Sequence, residues 1–300
     1  MKKNMPGIPE SAMTEESARA FLESTLWPNG PVCPHCKSSD AYKMTAKAES
    51  KRPGRKGLYR CNPCKRQFTV TVGTVFEGSH IPLHKWLMAV HFMTSSKKGM
   101  SAHQLHRTLG VTYKSAWFMA HRLRYAMTQK PMREKLQGKV EVDETFIGGK
   151  RRMYAKNSNK TIVVALVERN GEARAFVAQN TGSGVLKGMI RDNVQKDSTI
   201  ITDQWGAYRG IGKHFEGGHH TVNHGKHEYV RGDIYTNTVE GFFSLLKRGI
   251  MGTFHHISRQ HTARYCNEFA FRWNTRNGSD AQRALTALKG IEGKRLVYRI

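Results

Sequence analysis

Residues 139–147 read Lys-Val-Glu-Val-Asp-Glu-Thr-Phe-Ile and run into Gly148-Gly149. Side chains alternate along an extended chain, so Val140 and Val142 share one face while Glu141, Asp143 and Thr145 share the other. The pattern predicts a strand with one apolar face and carboxylates on the second. Residues 161–168 and 173–178 read as two further strands, joined through Asn170-Gly171, a strong hairpin signal because both residues tolerate positive φ. Residues 184–194 follow a helical period, and Ser-Thr-Ile-Ile-Thr-Asp at 198–203 is a short apolar strand ending on a carboxylate. The order is a three-strand meander, a helix, then a fourth strand that returns parallel to the first.

That order is the α/β arrangement of a ribonuclease-H-like fold, in which Asp143 and Asp203 come from neighbouring strands and point at one spot. A third acid, Glu240, lies in Asn237-Thr-Val-Glu-Gly-Phe-Phe-Ser-Leu-Leu-Lys-Arg248. This segment predicts a helix with Phe242, Leu245 and Leu246 toward the core and with Glu240, Ser244 and Lys247 opposite, seven residues being almost two turns. Glu240 has two readings. Three converging carboxylates suit phosphodiester chemistry on two divalent ions roughly 4 Å apart, and oxygen ligands favour Mg or Mn. Equally, Asn237 followed three residues later by Glu240 is a capping-box pattern that needs no metal.

The wider composition fits a polyanionic partner. The chain has 300 residues, which at about 150 per domain suggests two domains with a small accessory module. Lys and Arg number 49 against 23 Asp and Glu, a formal charge of +26. Residues 78–133 contain no acid at all and nine Lys and Arg, Lys130 and Arg133 among them. Residues 141–240, by contrast, hold twelve carboxylates, which suggests a use for some of them. No apolar run approaches the roughly 18 residues of a membrane span. Residues 1–10 lack the apolar stretch of a secretory leader. A cytoplasmic, nucleoid-associated protein is expected, with double-stranded DNA as partner and no membrane.

Cys33-Pro-His-Cys36 and Cys61-Asn-Pro-Cys64 are separated by 24 residues rich in Lys, Arg and Gly. Two such turns facing each other build a four-thiolate tetrahedral site, predicting a zinc ribbon with one structural Zn, Tyr59 and Phe68 supplying its small core. His35 is read as a loop side chain and Cys266 as core. Residues 82–94 predict a helix. Ser101 and Thr112 are placed to cap two further helices broken at Leu109-Gly110-Val111, the layout of a helix-turn-helix whose second helix enters a DNA major groove. Lys114, Ser115, Arg122 and Arg124 are expected to face outward. His106 departs from that pattern, which usually has a small residue there. The expected division is an N-terminal helical lead (1–30), the zinc ribbon (31–78), the helix-turn-helix segment (79–135) and the α/β domain (136–300).

These strings, with Trp27-Pro-Asn-Gly30, Gly73-Thr-Val-Phe76, Thr202-Asp-Gln-Trp205 and Arg264-Tyr-Cys-Asn-Glu-Phe-Ala-Phe-Arg-Trp-Asn-Thr-Arg276, together resemble bacterial insertion-sequence transposases of the DDE type with an N-terminal zinc ribbon, the ISXO-two-like group. The resemblance spans nearly the whole chain. It implies a metal-dependent DNA strand transferase with Asp143, Asp203 and Glu240 as its acidic triad on two Mg or Mn ions. Lys247 matches the basic residue that follows the triad Glu, and with Arg248 is expected to hold a phosphate near the reacting end. It further implies recognition of terminal inverted repeats, capture of target DNA, and a homodimer on DNA. His224 also fits the family pattern; the neighbouring His214, His219, His220 and His227 read as a loop near DNA rather than a second zinc site. Two other readings stay open: a non-catalytic zinc-ribbon and helix-turn-helix regulator, and a simple nuclease of ribonuclease-H-like fold.

Overall fold

Thr14 and Ser17 exchange side-chain and backbone hydrogen bonds in a capping box that starts α1 (Glu15–Leu26). The computed structural model describes residues 14–45, 56–128, 134–149, 160–226 and 228–296; Lys130, Arg133, His227 and the residues 1–10 considered above lie outside them. The chain divides into two compact units, residues 1–127 with 278–300, and residues 128–277.

In the first unit, β1 (Ala41–Lys43), β2 (Tyr59–Cys61) and β3 (Gln67–Phe68) form an antiparallel sheet in that order. Its small core is Tyr59 and Phe68, as expected, with Trp27 edge-on to both at 5.3 and 5.8 Å. Next come α2 (Leu83–Ser95), α3 (Ala102–Leu109) and α4 (Tyr113–Ala126). The first turn of α2 gives its Leu83 N–H to the Glu15 carboxylate. Ser101 accepts from the Gln104 N–H and Thr112 from the Ser115 N–H, so both expected caps form. Gly110 turns the chain between these helices at φ 59°, a left-handed conformation that glycine adopts freely. The His106 ring donates to the Val111 carbonyl and so closes the turn at the position where the pattern usually has a small residue.

One expectation fails on α4. Arg122 and Arg124 are 6% and 2% exposed and do not face outward. Arg122 reaches back to the strap at 75–77, donating to the Val75 and Glu77 carbonyls at 2.8 and 3.0 Å. Lys114 is exposed and Ser115 half-buried.

The second unit is a five-stranded mixed sheet with helices on both faces. Its strands are β4 (Lys139–Ile147), β5 (Thr161–Glu168), β6 (Ala173–Ala178), β7 (Thr199–Asp203) and β8 (His219–Val222), in the order β6-β5-β4-β7-β8. The meander β4-β5-β6 is antiparallel, with Asn170 at φ 59° in its second turn. The crossover helix α5 (Ser183–Asn193) returns the chain so that β7 runs parallel to β4, and β8 parallel to β7. After the short hairpin β9 (Val230–Arg231) and β10 (Ile234–Tyr235) come α6 (Asn237–Gly249) and α7 (Thr262–Asn274). The alternation in β4 sorts the two cores. Val140 and Val142 pack with Leu186 and Ile190 of α5, while Ile147 packs with Phe242, Phe243 and Leu246 of α6 and Phe269 of α7. Cys266 lies fully buried in this second core.

The last helix, α8 (Asp280–Lys289), corrects the expected boundary at 136–300. It packs on α2, and residues 278–300 belong to the first unit. Its amphipathic stripe, with Ala284, Ala287 and Leu288 buried, closes that unit's helical core.

Candidate active site and zinc centre

The two Cys-x-x-Cys turns face each other. Cys33 and Cys64 sulfurs lie 3.7 Å apart, Cys36 and Cys61 sulfurs 3.4 Å, and all four fall within 4.8 Å of one another. Zinc with four bonds of about 2.3 Å sets its sulfurs roughly 3.8 Å apart, so the cluster fits that ion. Lys37 and Lys65, each directly after the second cysteine of its pair, take φ of 63° and 58°, folding both turns back on themselves. His35 is exposed and outside the cluster.

The carboxylates of the second unit owe their placement to strand register. β4 and β7 pair in parallel at Glu141↔Ile201, and two residues further along both strands stand Asp143 and Asp203. Partners in a parallel register present side chains to the same face, here the face covered by α6. Burial pushes the Asp143 carboxyl up to about 7, against its bond from the Glu144 N–H and with the charges of Glu144, Asp203 and Glu240 adding to the rise. The three expected acids therefore share one electrostatic site. They do not close to metal-ligating distance of one another; among the described residues only the four sulfurs do so.

Glu240 stands on the exposed face of the first turn of α6, with Ser244 and Lys247, as expected. The capping-box alternative is not what forms. Asn237 is already helical, Thr236 occupies the cap position without a side-chain bond, and Glu240 accepts from the Thr236 hydroxyl at 3.0 Å. His224 sits 3.7 Å from the same Glu240 oxygen, its ring 5.4 Å from Tyr229. Lys247 and Arg248 are exposed nearly two turns along.

Residues 135–274 match the ISXO2-like transposase domain family, and residues 13–67 match the transposase zinc-ribbon domain. Both matches are to transposase families, and together they take in most of the chain. The transposase domain match contains all three acids and stops before α8, in keeping with that helix lying in the other unit. A relative from Halobacterium salinarum, named as an uncharacterized protein in transposable element ISH50, is 29% identical over 254 residues, covering 79% of this chain and 83% of its own.

Sequence reading missed two groups that shape the candidate site. Glu144, on the opposite face of β4 from Asp143, accepts a hydrogen bond from the fully buried Tyr208 hydroxyl. Burial raises its carboxyl, as does the charge of Asp203, while Tyr208 opposes the rise. Glu141, wholly buried, accepts from the Thr238 and Val239 N–H groups at 2.7 and 3.0 Å. A hint lay in the sequence, since an acid between two valines of a central strand must find a partner.

Proposed function

We propose that this transposase binds the terminal inverted repeats of an insertion sequence and catalyses metal-dependent cleavage and strand transfer at their ends. The observation that carries the reading is the electrostatic convergence of Asp143, Asp203 and Glu240, drawn from two adjacent parallel strands and a helix of a ribonuclease-H-like sheet. An all-oxygen donor set suits magnesium or manganese, and a divalent cation would relieve both the burial and the neighbouring charge that raise Asp143. Two such ions would supply an acidified attacking water and would offset charge on the departing oxygen.

The chain's own residues do the rest. Asp143 and Asp203 hold the acidic centre side by side from the rigid sheet, and Glu240 completes it from α6. Lys247 and Arg248, exposed on the same helix, hold a phosphate beside it and keep the scissile bond in line. Water adds to phosphorus and the 3′ oxygen leaves with a proton. The freed 3′-hydroxyl then attacks a target phosphodiester by transesterification, with no covalent bond to the protein. Recognition of the ends falls to the zinc ribbon and to α3 and α4 as a helix-turn-helix, with Lys114 and Ser115 toward DNA. Pairing two ends requires a homodimer on DNA, and the protein works in the cytoplasm at the nucleoid.

The test is cleavage of a duplex carrying the element's end in Mg2+. Asp143→Asn, Asp203→Asn and Glu240→Gln should each lose cleavage while binding the end as before. Retained cleavage in all three would refute the triad and favour a regulator. Cleavage by the wild type without joining to a second duplex would point to a nuclease instead.

A further inference from the structure

The N-terminus of α6 is held from outside its own loop. Thr236, at the cap position, spends its hydroxyl on the Glu240 carboxylate and accepts from none of the N–H groups at the helix start. The first free N–H groups, on Thr238 and Val239, instead donate to Glu141 Oε2, and the Thr238 hydroxyl donates to Oε1 at 2.8 Å, across nearly a hundred residues of sequence. Arg169 Nε completes the set at 2.7 Å from Oε1. The same guanidinium donates to the Asp233 and Tyr235 carbonyls at 2.6 and 2.9 Å and lies 3.6 Å from the Tyr235 ring centroid. Glu141 and Arg169 thus clamp both the chain entering α6 and its first turn.

A wholly buried carboxylate is costly unless paired and fully hydrogen-bonded, a condition this one meets. A negative charge at a helix start is also favoured by the helix dipole. What marks the clamp as more than a cap is its place. Glu141 stands two residues before Asp143 on the same face of β4, about 7 Å along the strand. Val239, which it binds, is the immediate neighbour of Glu240. One side chain therefore ties the strand of the first acid to the helix of the third.

We propose that Glu141 is a positioning residue, which docks the first turn of α6 on β4 and so fixes the backbone spacing from which the Asp143 and Glu240 side chains reach a divalent cation. The inference rests on the metal-dependent reading above, and its test separates the two. In the full-length, zinc-loaded protein, Glu141→Gln should speed amide exchange in the first turn of α6 and leave α7 unchanged. Mn2+ binding, followed by electron paramagnetic resonance, should weaken about tenfold, the lower end of what loss of an outer-shell partner costs. Cleavage should return at high Mn2+, as it should not in Asp143→Asn. Thr238→Val, which removes only the hydroxyl donor, should weaken Mn2+ binding by about two- to threefold, the low end of what one hydrogen bond is worth, and carries the test if Glu141→Gln fails to fold. Wild-type Mn2+ affinity in the variants overturns the inference, as does unchanged exchange at α6. Wild-type Mn2+ binding that ignores Asp143→Asn would instead remove the metal reading, and the inference with it.

Discussion

Arg122 and Lys114 lie on one helix and carry the same charge, yet their surroundings assign them opposite tasks. Arg122 is buried, its guanidinium bonded to the Val75 and Glu77 carbonyls and set 4.4 Å from the Phe118 ring centroid. Replacing it with Met keeps much of the stem but leaves the buried Val75 carbonyl unpaired, at about 1–3 kcal/mol, leaves the half-buried Glu77 carbonyl at a smaller cost, and loses a ring contact of roughly 1 kcal/mol. Relief of the buried charge offsets part of this, since burial already pushes the Arg122 pKa down. A net loss of about 3 kcal/mol is expected, which in a unit of this size lowers Tm by roughly 6–12 °C. Lys114→Ala should leave stability within about 0.5 kcal/mol of wild type and Tm nearly unchanged. The two should exchange places in a binding assay. Fluorescence anisotropy of end DNA, titrated with salt below the melting transition, should give Lys114→Ala a log Kd against log salt slope shallower by about 0.9, the yield of one lost phosphate contact. Arg122→Met should keep the wild-type slope. If Arg122→Met melts like wild type and loses a unit of slope, the burial argument is wrong and that arginine reads DNA.

The zinc centre predicts one zinc per chain by atomic absorption; Cys61→Ser should abolish it and erase the near-ultraviolet circular dichroism of the Trp27, Tyr59 and Phe68 cluster, whereas an unchanged signal would mean that the ribbon folds without metal. The burial of Asp143, with the carboxylates around it, predicts that Asp143→Asn stabilises the protein in the absence of added magnesium at pH 8. The folded pKa of about 7 lies above the ordinary 3.8, so the folded state binds more protons between them and stability falls as pH rises through that window. The variant's advantage should be nil below about pH 4 and full above about pH 7. The shift sets a ceiling of roughly 4 kcal/mol, and the partial exposure of Asp143 reduces it to about 1–2 kcal/mol in urea denaturation. A gain that does not vary with pH would sink the electrostatic explanation.

What could be read from the sequence was whatever local chemistry decides. Alternation placed β4, Asn170-Gly171 placed the hairpin after β5, and Ser101 and Thr112 capped the helices for which their hydroxyls were suited. The cysteine spacing gave the ribbon because two short turns need only meet. What escaped was set by chain that arrives from elsewhere. Arg122 falls on a helix face that seemed open until residues 75–77 covered it, and α8 has a stripe whose partner, α2, lies some two hundred residues earlier.

Glu141 shows the limit most sharply. Period-two alternation gives it and Asp143 the same face and the same residue class, so no strand pattern can tell the acid proposed for catalysis from the one that docks a helix. The difference arises only when α6 returns over β4. The helix start then lies above position 141, where two unpaired N–H groups meet a carboxylate, and the first turn carries Glu240 toward position 143. Shifting Glu141 by one residue would turn its side chain to the α5 face and leave α6 without its anchor. The same alternation that puts an acid in the site therefore also fixes the helix bearing the third acid, and on this strand a change of register would cost both together.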